Sequence, residues 1–283
     1  MITSSLPAYD IAAIQAGLRT AAFGRTIHYY ASVDSTNNVA VALAQDGAPH
    51  GTVVLADAQS AGRGRRGRHW HSPPAQHLYC SIILRGCPEQ TEYLTIVPLA
   101  SALAVADAMF DAAAVQGRLK WPNDVLIGEK KVAGILCESV GGQPMTIVVV
   151  GIGMNINGRP DDFPQDFRNT AATLSGERGS PVDRTGLVSA LLNRLEERIA
   201  LISARTLADL LDAYRTRCST LGLVVRAMVG DNNAIEGTAE AVGMDGSLHI
   251  RRGTPAGSGR SDEIVIVHSA DIVHLRKMTG TTR

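Results

Sequence analysis

Gln59–Trp70 reads QSAGRGRRGRHW, with four arginines (Arg63, Arg65, Arg66 and Arg68) interleaved with Gly62, Gly64 and Gly67. Like charges at this density repel, glycine carries high backbone entropy, and nothing apolar lies between Ala61 and His69 to hold the segment down. These properties predict a mobile loop that becomes ordered when an anion with several oxygens arrives, because guanidinium forks and free backbone N–H groups then find partners. Apolar runs of strand length lie on either side, Thr52–Ala56 (TVVLA) and His77–Leu84 (HLYCSIIL), so the loop joins two strands that flank it.

Working outward toward the N-terminus, Thr26–Tyr30 reads as a short strand, and SVDSTNN follows, in which Ser35 or Thr36 can cap a helix running to about Gln45. Two readings of Ser35, Thr36 and Asn37 stand side by side: an N-cap and nothing more, or a helix N-terminus whose spare hydroxyl and amide groups cradle a polar ligand. Before these, Tyr9–Thr20 has helical spacing and Gly24 stops it.

Toward the C-terminus, Tyr93–Ala114 is an alanine-rich helix too hydrophobic for a surface, expected to pack on a sheet with Pro98 in its first turn. Arg118–Ile127 (RLKWPNDVLI) reads as a strand interrupted by Pro122. Lys120 within it either points at water from an edge strand or is buried and needs a partner. Lys131–Glu138 (KVAGILCE) and Thr146–Val150 (TIVVV) form an antiparallel hairpin.

GIGMNIN at Gly151–Asn157 is not a dinucleotide fingerprint, since the third glycine and the following helix are missing; its paired glycines at a strand end serve close backbone approach. Arg184–Ser203 and Leu207–Cys218 are amphipathic helices. From Leu221 the pattern changes to short alternating strands with a tight turn at Asp245-Gly246, a small β-barrel of SH3-like size; the expected division is residues 1–220 and 221–283.

The totals exclude several classes. Lys and Arg number 27 against 27 Asp and Glu, so no net field favours nucleic acid or membrane and attraction to anions must be local. Cys80, Cys87, Cys137 and Cys218 show no paired spacing, which argues against zinc and for reduced thiols. His69, His71 and His77 lack an adjacent carboxylate or cysteine, so no metal site is expected. Without a recognisable signal peptide or an unbroken apolar run of about 18 residues, a cytoplasmic protein with no membrane partner is expected.

Taken together, STNN at Ser35–Asn38, the arginine loop, LKWPND at Leu119–Asp124, KKVAGILCE at Lys130–Glu138 and GIGMNIN resemble the bacterial biotin protein ligases, in the family's order and spacing from about residue 28 to 276. The resemblance implies an α+β fold, a mixed and mainly antiparallel sheet with packed helices like the class II synthetases, followed by the SH3-like barrel. Members that double as repressors carry an N-terminal DNA-binding domain for which this N-terminus has no room. The match is therefore to the shorter class, with no DNA partner and no repressor function expected.

The activity implied is condensation of biotin with ATP to biotinyl-5'-adenylate, with Mg²⁺ accompanying ATP and pyrophosphate released, and then transfer of biotin to a lysine of a biotin carboxyl carrier protein of a carboxylase. By position, Ser35, Thr36, Asn37, Gln59, Arg63, Gly64, Arg65, Lys120, Gly134, Ile135, Gly151 and Gly153 match biotin-contacting residues. Arg63, Arg65, Arg66, Arg68, Trp70, Lys120, Asn123, Lys131 and Asn155 fall toward ATP or the adenylate. Lys120 and Arg65 are the implied catalytic residues, and the chain is expected to be a monomer or weak homodimer.

Physical chemistry accounts for the residue types. Two unit charges about 4 Å apart repel by roughly 4 kcal/mol at an effective dielectric near 20, so a carboxylate meeting an α-phosphate needs cations between them. The resulting mixed anhydride hydrolyses readily, and a loop closing over it excludes water. Two other readings compete. An RNA-binding protein using GRGRRGR conflicts with zero net charge and few aromatic residues; a lipoate-transferring relative would share the fold, but the pairing of the arginine loop with KWPND favours biotin.

Overall fold

The computed structural model describes residues 9–87, 91–141, 146–202, 206–230, 233–253 and 263–275. A mixed seven-stranded sheet is built from β1 (Ile27–Tyr30), β2 (Val53–Ala56), β3 (Leu78–Cys87), β4 (Arg118–Lys120), β5 (Asp124–Ile127), β6 (Lys130–Val140) and β7 (Thr146–Met154), in the order β1-β2-β3-β7-β6-β5-β4. Only β1 and β2 run parallel; the remaining neighbours are antiparallel. The arginine loop spans β2 and β3, as its flanking apolar runs require.

Strand alternation sends successive side chains to opposite faces and thereby sorts the sheet. Val53, Leu55, Ile82, Val148 and Val150 join the main core, while Val54, Ile83 and Val149 face a second cluster with Ala40 and Ala44. The main core is built on α3 (Thr91–Ala113), which is packed in turn by α5 (Arg184–Ala200) and α6 (Leu207–Arg217); α2 (Thr36–Gln45) covers the other face. Asp107, a buried carboxylate of α3, receives Arg198 of α5 and Arg217 of α6 at 2.7 and 2.6 Å. The helices are thus clamped together around a charge that burial alone would penalise.

Tyr93–Ala113 within α3 has a mean hydropathy of 1.7 over an apolar window long enough to cross a membrane, but 72% of that window is buried inside the protein. Its composition is that of a core helix. Pro98 sits well inside α3, not in its first turn. The helix continues because Val97 and Leu99 on either side are fully buried, and tertiary burial outweighs the ~3 kcal/mol cost of an interior proline.

The first helix, α1 (Ile11–Ala16), is shorter than its spacing implies: Asp10 caps Ala13 N–H at 2.9 Å, and Gly17 closes it. Arg118–Ile127 is two antiparallel strands, β4 and β5, around a turn with a cis Trp121–Pro122 bond, not one interrupted strand. After the short α4 (Leu174–Arg178), α5 and α6, a five-stranded antiparallel sheet follows: β8 (Val224–Val229), β9 (Asn233–Val242), β10 (Leu248–Arg252), β11 (Glu263–Val267) and β12 (Asp271–His274), in the order β11-β10-β9-β8-β12. Its apolar residues Val225, Ala227 and Ile250 belong to the same core cluster as α3. Trp121 ties the two sheets by donating its indole N–H to Gly246 O at 2.9 Å.

Candidate active site

On the α2 face of the large sheet, the register pairs Gly134 with Gly153 and Leu136 with Gly151, so four cross-strand positions carry only one side chain. That bare patch is the floor of a pocket. The glycines lie inside β7, which runs on to Met154, and not at a strand end as the sequence implied. The reason is steric: a Cβ on Gly153 would lie 2.5 Å from the Trp70 ring, and one on Gly151 would lie 2.1 Å from Asn37 Oδ1.

The N-terminus of α2 forms one wall. Ser35 occupies the N-cap position but makes no capping bond with its side chain, so the N-cap reading does not account for its hydroxyl. Ser35, Thr36 and Asn37 are all buried. A hydrogen-bonded chain fixes them: Ser81 Oγ donates to Thr36 Oγ1 (2.8 Å) or Asn37 Oδ1 (2.6 Å), Thr36 N–H and its hydroxyl donate to Gln59 Oε1 (2.8 and 3.2 Å), Gln59 Nε2 donates to Ser72 Oγ (3.0 Å), and Ser72 Oγ donates to Trp70 O (2.9 Å). The helix terminus is thereby linked to the far end of the arginine loop.

The expected loop has no apolar anchor, and in the structure its hydrogen-bond partners come from the protein. Gly64 N–H donates to Arg68 O and Trp70 N–H to Gly62 O at 2.6 and 2.9 Å, folding the segment into a tight hairpin with a 3₁₀ turn at Arg65–Gly67. Arg66 takes a left-handed φ of 55°, and its guanidinium donates to Met228 O (2.7 Å) and Gly230 O (3.3 Å) of the small sheet. Arg65 reaches Asn123 Oδ1 (3.1 Å), Ala270 O (3.2 Å) and Ser269 Oγ (2.5 Å). Arg68 pairs with Asp271 at 2.5 Å and Arg63 with Glu138 at 2.9 Å. The oxygens that order the arginines come from residues far away in sequence, in strands β6, β8 and β12 and in the turns beside strands.

A second, larger cavity of about 390 Å³ adjoins the first, and the two share Gly64, Arg65, Trp70, Asn123 and Lys131 as a common wall. Lys120 lines it from β4. This lysine takes neither alternative offered by the sequence: β4 is an edge strand, yet the side chain is half-buried and, among the described residues, forms no ion pair. Burial draws its pKa down, Lys131 and Arg68 push the same way, and Asp124 and Asp271 oppose them. Lys131 is paired with Asp124 at 2.6 Å and stands 5.3 Å from the centre of the Trp70 ring, a cation–π distance. The opposite wall carries His69, His71, Phe163 and Phe167.

The expected biotin residues therefore gather around the first pocket, with one exception: Lys120 borders only the second. Of the expected nucleotide residues, Arg65, Arg68, Trp70, Lys120, Asn123, Lys131 and Asn155 line the second cavity; Arg63 borders the first alone, and Arg66 borders neither, being turned onto β8. Sequence reasoning missed Tyr79, Ser81 and Glu138. A signal existed for Ser81, the one serine within the apolar run HLYCSIIL, and for Glu138, which shares the pocket face with Gly134 and Leu136 at two-residue spacing. It also missed Ala270, Asp271 and Ile272, whose place beside the loop has no local signature.

His77 is buried and stacked on Phe163 at 5.6 Å, and its Nδ1 accepts Ile156 N–H at 3.3 Å. Burial, helped by neighbouring His71, pulls its pKa down to about 4. Among the described residues no group of three or more His, Cys, Asp or Glu side chains could hold a metal ion.

A family model described as the Biotin/lipoate A/B protein ligase family matches residues 29–155. The chain is 35% identical over 257 residues to the biotin-(acetyl-CoA-carboxylase) ligase of Mycobacterium tuberculosis, covering 89% of this chain and 90% of that one. It is 40% identical over 188 residues to the bifunctional ligase/repressor BirA of Bacillus subtilis, spanning 65% of this chain but only 57% of that relative's length. The solved biotin protein ligase from Aquifex aeolicus in complex with biotin and ATP superposes with a TM-score of 0.73 at 26% identity, over 89% of this chain and 100% of the other.

Proposed function

Because this chain belongs to the biotin/lipoate A/B protein ligase family, we propose that it activates biotin with ATP and transfers it to a lysine of a biotin carboxyl carrier protein. The observation that carries this reading is the wall shared by the two cavities. A ligand whose polar head rests against Ser35, Thr36 and Gln59 directs its tail toward Arg65, Trp70 and Lys131, where a nucleotide in the larger cavity would present its phosphates.

In the first step a carboxylate oxygen attacks the α-phosphorus, the bond to the bridging oxygen breaks, and pyrophosphate leaves. The protein supplies no nucleophile. Its contribution is to bring two anions together: Lys120 offers a compact ammonium that forms no ion pair among the described residues, and Arg65 offers a fork already oriented by Asn123 and Ser269. Mg²⁺ enters with ATP as part of the substrate. Asp124, Glu129, Asn155 and Asp271 line the larger cavity, a donor set suited to an ion held chiefly by phosphates with one or two protein oxygens. In the second step a neutral lysine amine of the acceptor attacks the acyl carbon, AMP leaves with its electron pair, and the amine's proton passes to solvent or a nearby base.

The test is direct. Biotin plus MgATP should raise the melting temperature and release pyrophosphate, and a biotin carboxyl carrier domain should gain the mass of one biotinyl group; lipoate and RNA should do neither. Stabilisation by lipoate in place of biotin would move the assignment to the lipoate branch of the family.

A further inference from the structure

We propose that Glu138 is a positioning residue that fastens the arginine loop over the biotin pocket and sets the orientation of Asn37 beneath it. This rests on the biotin-ligase reading of the site and extends it to a residue that touches neither proposed substrate. On β6, Glu138 follows Gly134 and Leu136 on the pocket face and pairs across with Val149 of β7. Its Oε2 accepts Asn37 Nδ2 at 2.6 Å and Arg63 Nη2 at 2.9 Å. One oxygen thus joins the floor of the pocket to its lid.

Each bond has a distinct consequence. Asn37 has two amide donors, and Glu138 and Leu136 O (3.3 Å) take them both, leaving Oδ1 to accept Ser81 Oγ above Gly151. The amide cannot flip without placing its oxygen against a carboxylate, so Glu138 fixes which face Asn37 shows the ligand. Arg63 is the one loop arginine that does not bond the small sheet; its ion pair spans from the loop to β6 across the rim of the first pocket. The pair is partly exposed, with side-chain accessibilities of 42% and 29%, so its contribution to global stability is small and its effect falls on the loop.

Glu138→Ala and Glu138→Gln separate the two roles. Glutamine retains an oxygen to accept the Asn37 amide but loses the charge that holds Arg63. In Glu138→Ala the KM for biotin should rise roughly tenfold, matching loss of a charge-assisted hydrogen bond, and biotinyl-adenylate should escape roughly tenfold faster, with the KM for ATP and the melting temperature unchanged. Glu138→Gln should recover most of the biotin KM but not adenylate retention. Trypsin cleavage after Arg63, followed by mass spectrometry on ligand-free protein, should speed up in both variants, a readout that holds whatever the ligand proves to be. Unchanged cleavage would overturn the strap. A uniform rise in both KM values with a fallen melting temperature would reduce Glu138 to a structural part. Failure of the wild type to use biotin would instead strike the function assigned above, leaving the cleavage result to judge Glu138.

Discussion

Asn37 Oδ1 lies 2.1 Å from the point where a Cβ on residue 151 would stand, so the amide occupies space that only glycine leaves open. Gly151→Ala should therefore push Asn37 off its bonds to Ser81 and Glu138. Inserting a methyl group into such a contact costs about 1–3 kcal/mol. Calorimetry should find biotin binding at least tenfold weaker, while a titration within twofold of wild type would show that Asn37 has room the structure denies it.

Lys120 carries a charge that burial disfavours. Its folded pKa lies below the ordinary lysine value, so the unfolded chain holds its proton more tightly and the charged side chain costs stability at neutral pH. Lys120→Met should raise the unfolding midpoint in urea while cutting adenylate formation by about 10²–10³. In the wild type the adenylation rate should fall on the alkaline side at a pH below that of a free lysine, as the ammonium is lost. A variant that is less stable and still fast would contradict both halves of the assignment.

His77 follows the same sign as Lys120 in a lower pH window. With a folded pKa of about 4 against an ordinary 6.5, the unfolded chain binds the extra proton between those values. Its contribution is fully present above pH 6.5 and is lost progressively as the pH falls toward 4, by an amount up to about 3 kcal/mol. His77→Asn, which can still accept Ile156 N–H but cannot titrate, should flatten the acid limb of stability against pH even if its stability at neutral pH is lower. An acid limb of unchanged slope would place the sensitivity elsewhere.

Asp271 holds Arg68 at 2.5 Å and Arg66 at 3.7 Å, anchoring the loop to the edge strand β12 of the small sheet. These side chains are partly exposed, so Asp271→Asn should change global stability by less than ~1 kcal/mol. Local opening is another matter: tryptic cleavage after Arg66 and Arg68 should accelerate severalfold, and the difference from wild type should shrink as salt screens the pairs in the wild type. Equal cleavage rates at low salt would mean that the carbonyl contacts of Arg65 and Arg66 hold the loop without help from Asp271.

What the sequence determined by itself was whatever depends on local pattern. Apolar runs of strand length specified β2, β3, β6 and β7, the amphipathic spacing specified α5, and the two-residue spacing of Gly134, Leu136, Glu138 and of Gly151, Gly153 already placed those residues on shared faces. Motif order supplied the family and, with it, the residues around the first pocket. The tertiary structure alone decided where the four guanidiniums go. Their partners Glu138, Asn123, Met228 and Asp271 lie between 58 and 205 residues along the chain from them or their neighbours in the loop, and no local rule links positions so far apart. Charge density in the loop argued for mobility because like charges repel. Folding brings oxygens from two sheets within hydrogen-bond reach of those charges, and the same packing leaves Lys120 half-buried with no ion pair among the described residues.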